Sequence, residues 1–381
     1  MKDVAEAAAA AGIITLTVRE MKIGIACTNA LPIPVPRGEI YANQDLAGSL
    51  ADELAARGFD VTLFAPEGSR TKARLVTFGM LPFSDPRIYE RYRDKRSFAD
   101  YENLFMARIY GYAEENGLDL LHMHLRPLSV APFAAMSDLP TLSTIHDPLD
   151  FPYFKILELY GGSPSLFFSS VSLAQRRAMP QLPMSANVNN GIDLSKWKFN
   201  PRGGERFCHA GRVIREKGVH RAMDVAKRLG AGLDIAGFVY DADRHDPESY
   251  WSREVMPRLG GDITLDYVPQ EKLSDFYGKS KAFLNTLDWE EPFGLVMVEA
   301  MACGTPVIGF DRAAVGEVVK DGVTGFVAKD VAGMAQAIRK LEAIDPAACR
   351  RHVEKNFSAR RMADRYEKLY EELIERHKKE R

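Results

Sequence analysis

Cysteine is scarce and unpatterned: Cys27, Cys208, Cys303 and Cys349 are all there is, and no two form a C-x-x-C pair. That spacing argues against a disulfide framework and against a cysteine zinc site, and points to reduced thiols in a cytoplasmic setting. An excess of charge is also missing. Lys and Arg number 50 against 52 Asp and Glu, a formal net charge of -2, so nucleic acid is not expected as a bulk partner. A leader signature is absent too. The first twenty residues hold an Ala run and a short apolar patch, but Asp3 and Glu6 stand where a signal peptide would be basic, and neither secretion nor a membrane span is supported. Residues 1–20 therefore read as an extension outside the fold or a start-site artefact, with Met21-Lys22-Ile23 as the natural opening.

What is present is an ordinary globular composition, 46% apolar and 27% charged, over 381 residues, enough for about two cores. The densest chemistry lies between Trp289 and Phe326. Glu291 and Glu299 stand eight apart, and Pro292-Phe293-Gly294 between them predicts a helix start, with a helix from about Phe293 to Cys303. Its first free amides, at Gly294, Leu295 and Val296, would point out of the positive end of the helix dipole, a ready phosphate site. Glu299 would sit about a turn deeper, placed to accept from a diol. Gly304-Thr305-Pro306 then turns into Val307-Ile308-Gly309-Phe310, which reads as a buried parallel strand.

The run from Glu291 to Ile308, EPFGLVMVEAMACGTPVI, resembles the signature of the retaining glycosyltransferases of family 4. These have the GT-B fold, an α/β architecture of two Rossmann-like domains facing across a cleft. The resemblance implies that Glu291 contacts sugar hydroxyls, that Glu299 and Phe293 belong to the donor site with Glu299 on the ribose, and that the amides of Gly294, Leu295 and Val296 meet the diphosphate. Read alone, the pair would be solvent-facing carboxylates; the length of the match argues against that.

The first half alternates as such a domain should. The strand Lys22 to Cys27 precedes a Pro-rich loop with Arg37-Gly38-Glu39, then a helix from about Ile40 to Arg57 and the strand Val61 to Phe64. The family usually has a Gly-Gly pair in that loop near the donor phosphate. Here Gly38 alone remains, and is assigned to the donor. In residues 87–96 the cations Arg87, Arg91, Arg93, Lys95 and Arg96 outnumber their acidic neighbours. Most such runs are solvated helix faces; the alternative is peripheral contact with a membrane or an anionic acceptor. The strand Leu118 to His122, running into His122-Met123-His124, puts two imidazoles on one face, lining the cleft or buried for structure, and too few for a metal site. Thr141 to Ile145 delivers His146, where the family has a His facing the donor sugar. Asn190-Gly191-Ile192-Asp193 resembles the family segment at which the chain leaves the first domain.

The second half opens on Gly211-Arg212-Val213-Ile214-Arg215-Glu216-Lys217-Gly218, a loop in which two cations can converge on a diphosphate. The resemblance gives Arg212 and Lys217 that role, against the plain alternative of a surface ion pair. Tyr267-Val268-Pro269 falls where the family cradles the nucleobase with backbone groups, so Val268 joins the donor set. Asp241-Ala242-Asp243 spells a metal signature of another glycosyltransferase fold and is taken here as a turn. Met362, Tyr366, Leu369, Tyr370 and Leu373 have helical spacing, in the place where such proteins carry a helix back onto the first domain.

The expected organisation is an extension over 1–20, an acceptor domain over 21–195, a nucleotide-sugar domain over 196–357 and the returning helix over 358–381. The expected activity is retaining hexosyl transfer from a nucleotide diphosphate sugar to a small-molecule, glycan or lipid-linked acceptor, with no metal and no further cofactor. His146, Glu291, Arg212 and Lys217 are the candidate catalytic residues. No side-chain nucleophile is evident, so front-face attack by the acceptor is what the family implies. Two alternatives stay open: a nucleotide-sugar epimerase of the same fold, and a non-catalytic sugar-nucleotide-binding subunit.

Overall fold

A computed structural model describes residues 21–92, 95–148 and 152–380. The extension 1–20 lies outside the described residues, as does Arg93. Of the cations in the basic run only Arg87 has a described side chain, and it is exposed and paired with Asp85 at 2.8 Å. Among the described residues no helix is long and apolar enough to cross a membrane.

Two parallel sheets organise the chain. The first runs β3-β2-β1-β4-β5-β6-β7, built from Lys22–Cys27 (β1), Asp60–Phe64 (β2), Arg74–Val76 (β3), Leu120–His124 (β4), Thr141–Ile145 (β5), Leu166–Ser170 (β6) and Met184–Asn187 (β7). The second runs β10-β9-β8-β11-β12-β13, from Phe207–Arg212 (β8), Leu233–Phe238 (β9), Ile263–Asp266 (β10), Phe283–Asn285 (β11), Val307–Phe310 (β12) and Gly325–Ala328 (β13). Central strands β4, β5, β6 and β12 are buried along their whole length, because crossover helices cover both faces of a parallel sheet. In each sheet the strand order reverses at one place, between β1 and β4 and between β8 and β11. At such a switch point the crossovers diverge and leave a crevice outside the carboxyl ends of the strands.

Several boundaries differ from those expected. The first helix is Ala42–Ala56, shorter than Ile40 to Arg57, and β4 starts at Leu120 because Leu118 and Asp119 are used in the preceding turn. Residues Asp241–His245 form a short helix in place of the expected turn.

The two crevices face each other, tied by contacts between the halves. Tyr267 donates to the carbonyl of Gly38 at 2.8 Å, and Gln270 donates to Asp45 at 3.1 Å. The carboxylate of Glu317, from the second half, accepts from the backbone of Leu173 (2.8 Å) and from the Asn189 side chain (2.9 Å). The helix Ala359–Glu380 adds the largest tie. It leaves the second half through Ala359 N donating to Ile192 O at 2.8 Å, then lays Met362, Tyr366, Leu369, Tyr370 and Leu373 into one core with Ile23, Ile25, Leu46 and Leu50. All five positions with helical spacing are buried. Arg57 clamps this helix from the side, 2.8 Å from Asp364 and 3.3 Å from Glu367.

The same helix explains His122. Its Nδ1 lies 2.7 Å from the Tyr370 hydroxyl and its Nε2 lies 2.7 Å from Thr144 Oγ1, so the ring is a fully buried fastener and not a cleft residue. Burial holds it well below the usual imidazole range, with His146 nearby adding to the effect, and it stays neutral. Tyr370→Phe would leave a buried ring nitrogen without its partner, a loss on the order of 1–3 kcal/mol. Equilibrium urea unfolding should show that loss at neutral pH; a change under about 0.5 kcal/mol would contradict the fastening role.

Candidate active site

At the second switch point, β8 ends at Arg212 and a tight turn, Arg215–Lys217, carries the chain to Gly218. Gly218 has φ +66°, and a Cβ there would fall 1.8 Å from the carbonyl oxygen of Thr286, so only glycine lets the two loops touch. Thr286 Oγ1 donates to the Gly218 carbonyl at 2.9 Å, and Asp288 N donates to Glu216 O at 2.8 Å. Fastened in this way, the loops bring Lys217 to Glu291. The two form an ion pair, each side chain 17% exposed. Trp289 completes it, its indole N–H donating to Glu291 Oε2 at 2.6 Å and its ring lying 5.1 Å from Lys217 Nζ. Arg212 is exposed at the adjoining strand end and makes no ion pair among the described residues.

The helix after this loop spans Leu295–Ala302, beginning two residues later than expected. Phe293 is 2% exposed and packs edge-on against Phe357 at 5.8 Å, so it anchors the turn instead of entering the helix. Gly294 follows with φ +86°, a left-handed geometry that stops the helix from starting any earlier. Pro292 therefore precedes the cap and is not in the first turn. The amides of Gly294, Leu295 and Val296 still lie at the open N-terminus, beside the Lys217–Glu291 pair. Leu295 packs partly against the core that holds Ile23 and Leu46 and against a second core of Tyr277, Met297 and Val298, Val296 against this second core alone.

Glu299 lies further along the helix, where Tyr277 donates to Oε2 at 3.2 Å. Burial pushes its carboxyl up to about 7, the Tyr277 hydroxyl opposes this, and Asp45 from the first half pushes the same way as burial. Gly38 and Val268 are linked near the domain boundary through Tyr267, the neighbour of Val268 in the chain. Gly38, exposed, offers its carbonyl to Tyr267, while Val268, half-buried, packs on the second core. The Tyr267–Gly38 contact brings the Pro-rich loop of one half to the loop after β10 of the other.

Across the cleft, β5 delivers His146 at its carboxyl end. Its Nε2 lies 2.9 Å from His124 Nδ1, and the two rings stack 5.1 Å apart. Burial lowers His146 to about 4, so it meets a ligand as a neutral ring, able to donate or accept one hydrogen bond but not to act as a cation. Three partners were not foreseen from the sequence: His124 as the support of His146, Tyr277 as the support of Glu299, and Trp289 on the ion pair. Trp289 gave a signal, a scarce residue two places before Glu291. Tyr277 gave none, since its link to Glu299 spans 22 residues and a strand.

The raised carboxyl of Glu299 has a testable sign. Between about 4.5 and 7 the folded protein keeps a proton that the unfolded chain has released, so this group's contribution to stability is full below that window and is lost as pH rises through it. Glu299→Gln should remove that loss. The variant should gain on the order of 1–3 kcal/mol over the parent at pH 8, each pKa unit being worth about 1.4 kcal/mol, and gain little at pH 4.5. Urea unfolding of both proteins at the two pH values measures the difference; parallel pH dependence would refute it.

Two family models match the chain in succession, Glycosyltransferase Family 4 over residues 46–184 and Glycosyl transferases group 1 over residues 193–376. The putative glycosyltransferase YtcC of Bacillus subtilis (strain 168) is 24% identical over 399 residues, with 93% of each chain covered. Glycogen synthase of Mycobacterium tuberculosis is 35% identical over 184 residues, 45% of this chain and 43% of that one. Among solved structures, Anabaena HepE in complex with UDP and glucose has the same fold, with a TM-score of 0.68 at 16% identity over 92% of this chain and 99% of that one. Matched in both halves and built on two facing Rossmann-like sheets, the chain belongs to the glycosyltransferases of family 4 and is a transferase enzyme of the GT-B fold.

Proposed function

We propose that the enzyme is a retaining, metal-independent hexosyltransferase that takes its sugar from a nucleoside diphosphate sugar. The observation that carries this reading is the convergence, at the second switch point, of Arg212, Lys217 and the open helix end at Gly294–Val296, with two carboxylates flanking them. Two cations and a row of amides suit a diphosphate, while Glu291 and Glu299 suit hydroxyls on either side of it. The complex of Anabaena HepE with UDP and glucose lends support on a similar fold.

In this reading the acceptor oxygen attacks the anomeric carbon as the bond from that carbon to the phosphate oxygen breaks. The bonding electrons go to the phosphate, and the acceptor proton passes to the departing oxygen on the same face. Arg212, Lys217 and the helix amides stabilise the charge that develops there, the role in which preorganised groups count most. Lys217 must turn from Glu291 toward the phosphate or be shared between them. Glu291, so released, accepts from sugar hydroxyls, Glu299 from the ribose, and neutral His146 makes one hydrogen bond to the sugar from the opposite wall. The nucleotide sugar is a co-substrate, and no step here calls on a cofactor.

Incubation with a panel of nucleoside diphosphate sugars and polyol acceptors, followed by proton NMR of the product, tests the proposal. A product with the donor's anomeric configuration, formed at a rate unchanged within about twofold by EDTA, is expected. An inverted product, or loss in EDTA restored by magnesium or manganese, would overturn it. Conversion of the donor alone to an epimeric sugar would favour the epimerase instead.

A further inference from the structure

The helix Lys95–Glu115 has one face that no described residue of its own chain covers. Leu104, Arg108, Gly111 and Glu115 recur every three or four residues, the spacing of a single helix face, while Phe105, Met106 and Ile109 on the other side are buried in the core of the first half. Leu104 is 51% exposed. Arg108 and Glu115 are exposed and make no ion pair or hydrogen bond among the described residues; seven apart, they are also too distant to pair along their own helix. Gly111 lies between them and borders two grooves. One, of about 520 Å³, runs past Leu104, Arg108, Tyr112 and Phe78, and the other, of about 610 Å³, opens toward Phe133, Met136 and Leu118. Glycine is a poor residue for a helix interior, and nothing within the chain calls for it here: φ is not positive, and a Cβ would meet nothing within 4 Å. The helix ends five residues before β4 begins, so this face lies toward the amino ends of the strands, away from the cleft.

We propose that this face is a two-fold interface between two copies of the chain, with their helices crossing antiparallel at Gly111. The register carries the argument. A two-fold axis at Gly111 sets each residue before the centre across from one equally far beyond it on the other copy, and every pairing occurs twice. Arg108, three residues before the centre, then stands across from the partner's Glu115, four residues beyond it, the two differing by about 1.5 Å along the helix axis. Residues seven apart are turned by only about 20° around a helix, so cation and carboxylate also lie on the same side of the crossing. Each charge that is unpaired in one chain thereby gains an opposite charge in the other. Leu104, about 10 Å before the centre, falls over the partner's turn at Asn116–Leu118, at the rim of the larger groove. Gly111 at the crossing lets the two backbones approach where a side chain would hold them apart. An anionic lipid surface fits this face less well, because Glu114 and Glu115 stand against Arg108 alone.

Sedimentation equilibrium of the full chain at micromolar concentration tests the proposal. The parent protein should exchange between monomer and dimer. Arg108→Glu, which sets like charges across from each other twice, should weaken association by roughly tenfold or more, and adding Glu115→Arg to it should restore association. Gly111→Leu, for which the single chain has room and which a helix favours, should dissociate the dimer without lowering the thermal stability of the monomer. The four native cysteines are buried, so Gly111→Cys should give one covalent dimer on oxidation with diamide. A parent protein that stays monomeric, the result expected if residues 1–20 or another protein took this face, overturns the proposal. So does a dimer indifferent to Arg108→Glu and Gly111→Leu, and so does a charge exchange that fails to restore association.

Discussion

Everything at the proposed donor site depends on two loops that touch at a point where no side chain fits. Gly218 against Thr286 draws the end of β8 onto the segment after β11, and the half-buried ion pair of Lys217 and Glu291 is the result. A pair partly withdrawn from water offsets its desolvation only with good geometry and further hydrogen bonds, one of which Trp289 supplies. In the proposed reading the cation and the carboxylate are stored against each other until a ligand separates them. A diphosphate sugar can do this because it carries both partners, an anion for Lys217 and hydroxyls for Glu291. Substitutions at the two positions are therefore coupled and cannot be read as independent contributions.

The second constraint is the relation between the halves. A crevice at one switch point can bind a nucleotide; transfer needs a second crevice opposite it. The helix Ala359–Glu380 supplies much of that relation by placing residues of the C-terminal end in the core of the N-terminal sheet, with His122 and Tyr370 as its polar fastener. The ties at Tyr267–Gly38 and Gln270–Asp45 are few and lie near the domain boundary, as suits contacts that must form and break around a substrate. Glu299 registers the closeness of the halves, since Asp45 from the helix Ala42–Ala56 of the first half contributes to its raised carboxyl.

Much of this was legible in the sequence. The strand at Val307–Phe310 has the limits expected, as does the one at Thr141–Ile145, because short apolar runs between turn residues leave little choice. The five apolar positions of the last helix all face the core. Lys217 and Glu291, placed by motif, meet in space, and Arg212 stands at the adjoining strand end. The start of the donor helix was misplaced because Pro292 suggests a first turn, while the burial of Phe293 and the positive φ of Gly294 delay it. His122 and His124 could not be told apart by alternation, which gives a shared face but not the neighbour on it; a tyrosine some 250 residues away decided that one is a fastener.

The central claim is that Arg212 and Lys217 receive the diphosphate at the second switch point. Calorimetric titration of the parent protein and of Arg212→Ala and Lys217→Ala, with a nucleoside diphosphate and with the bare nucleoside, tests it most directly. Each substitution should weaken diphosphate binding by roughly tenfold or more, the scale of one charge-assisted contact, and leave nucleoside binding nearly unchanged. Diphosphate affinity that survives both substitutions, or nucleoside affinity that falls in step with it, would contradict the account.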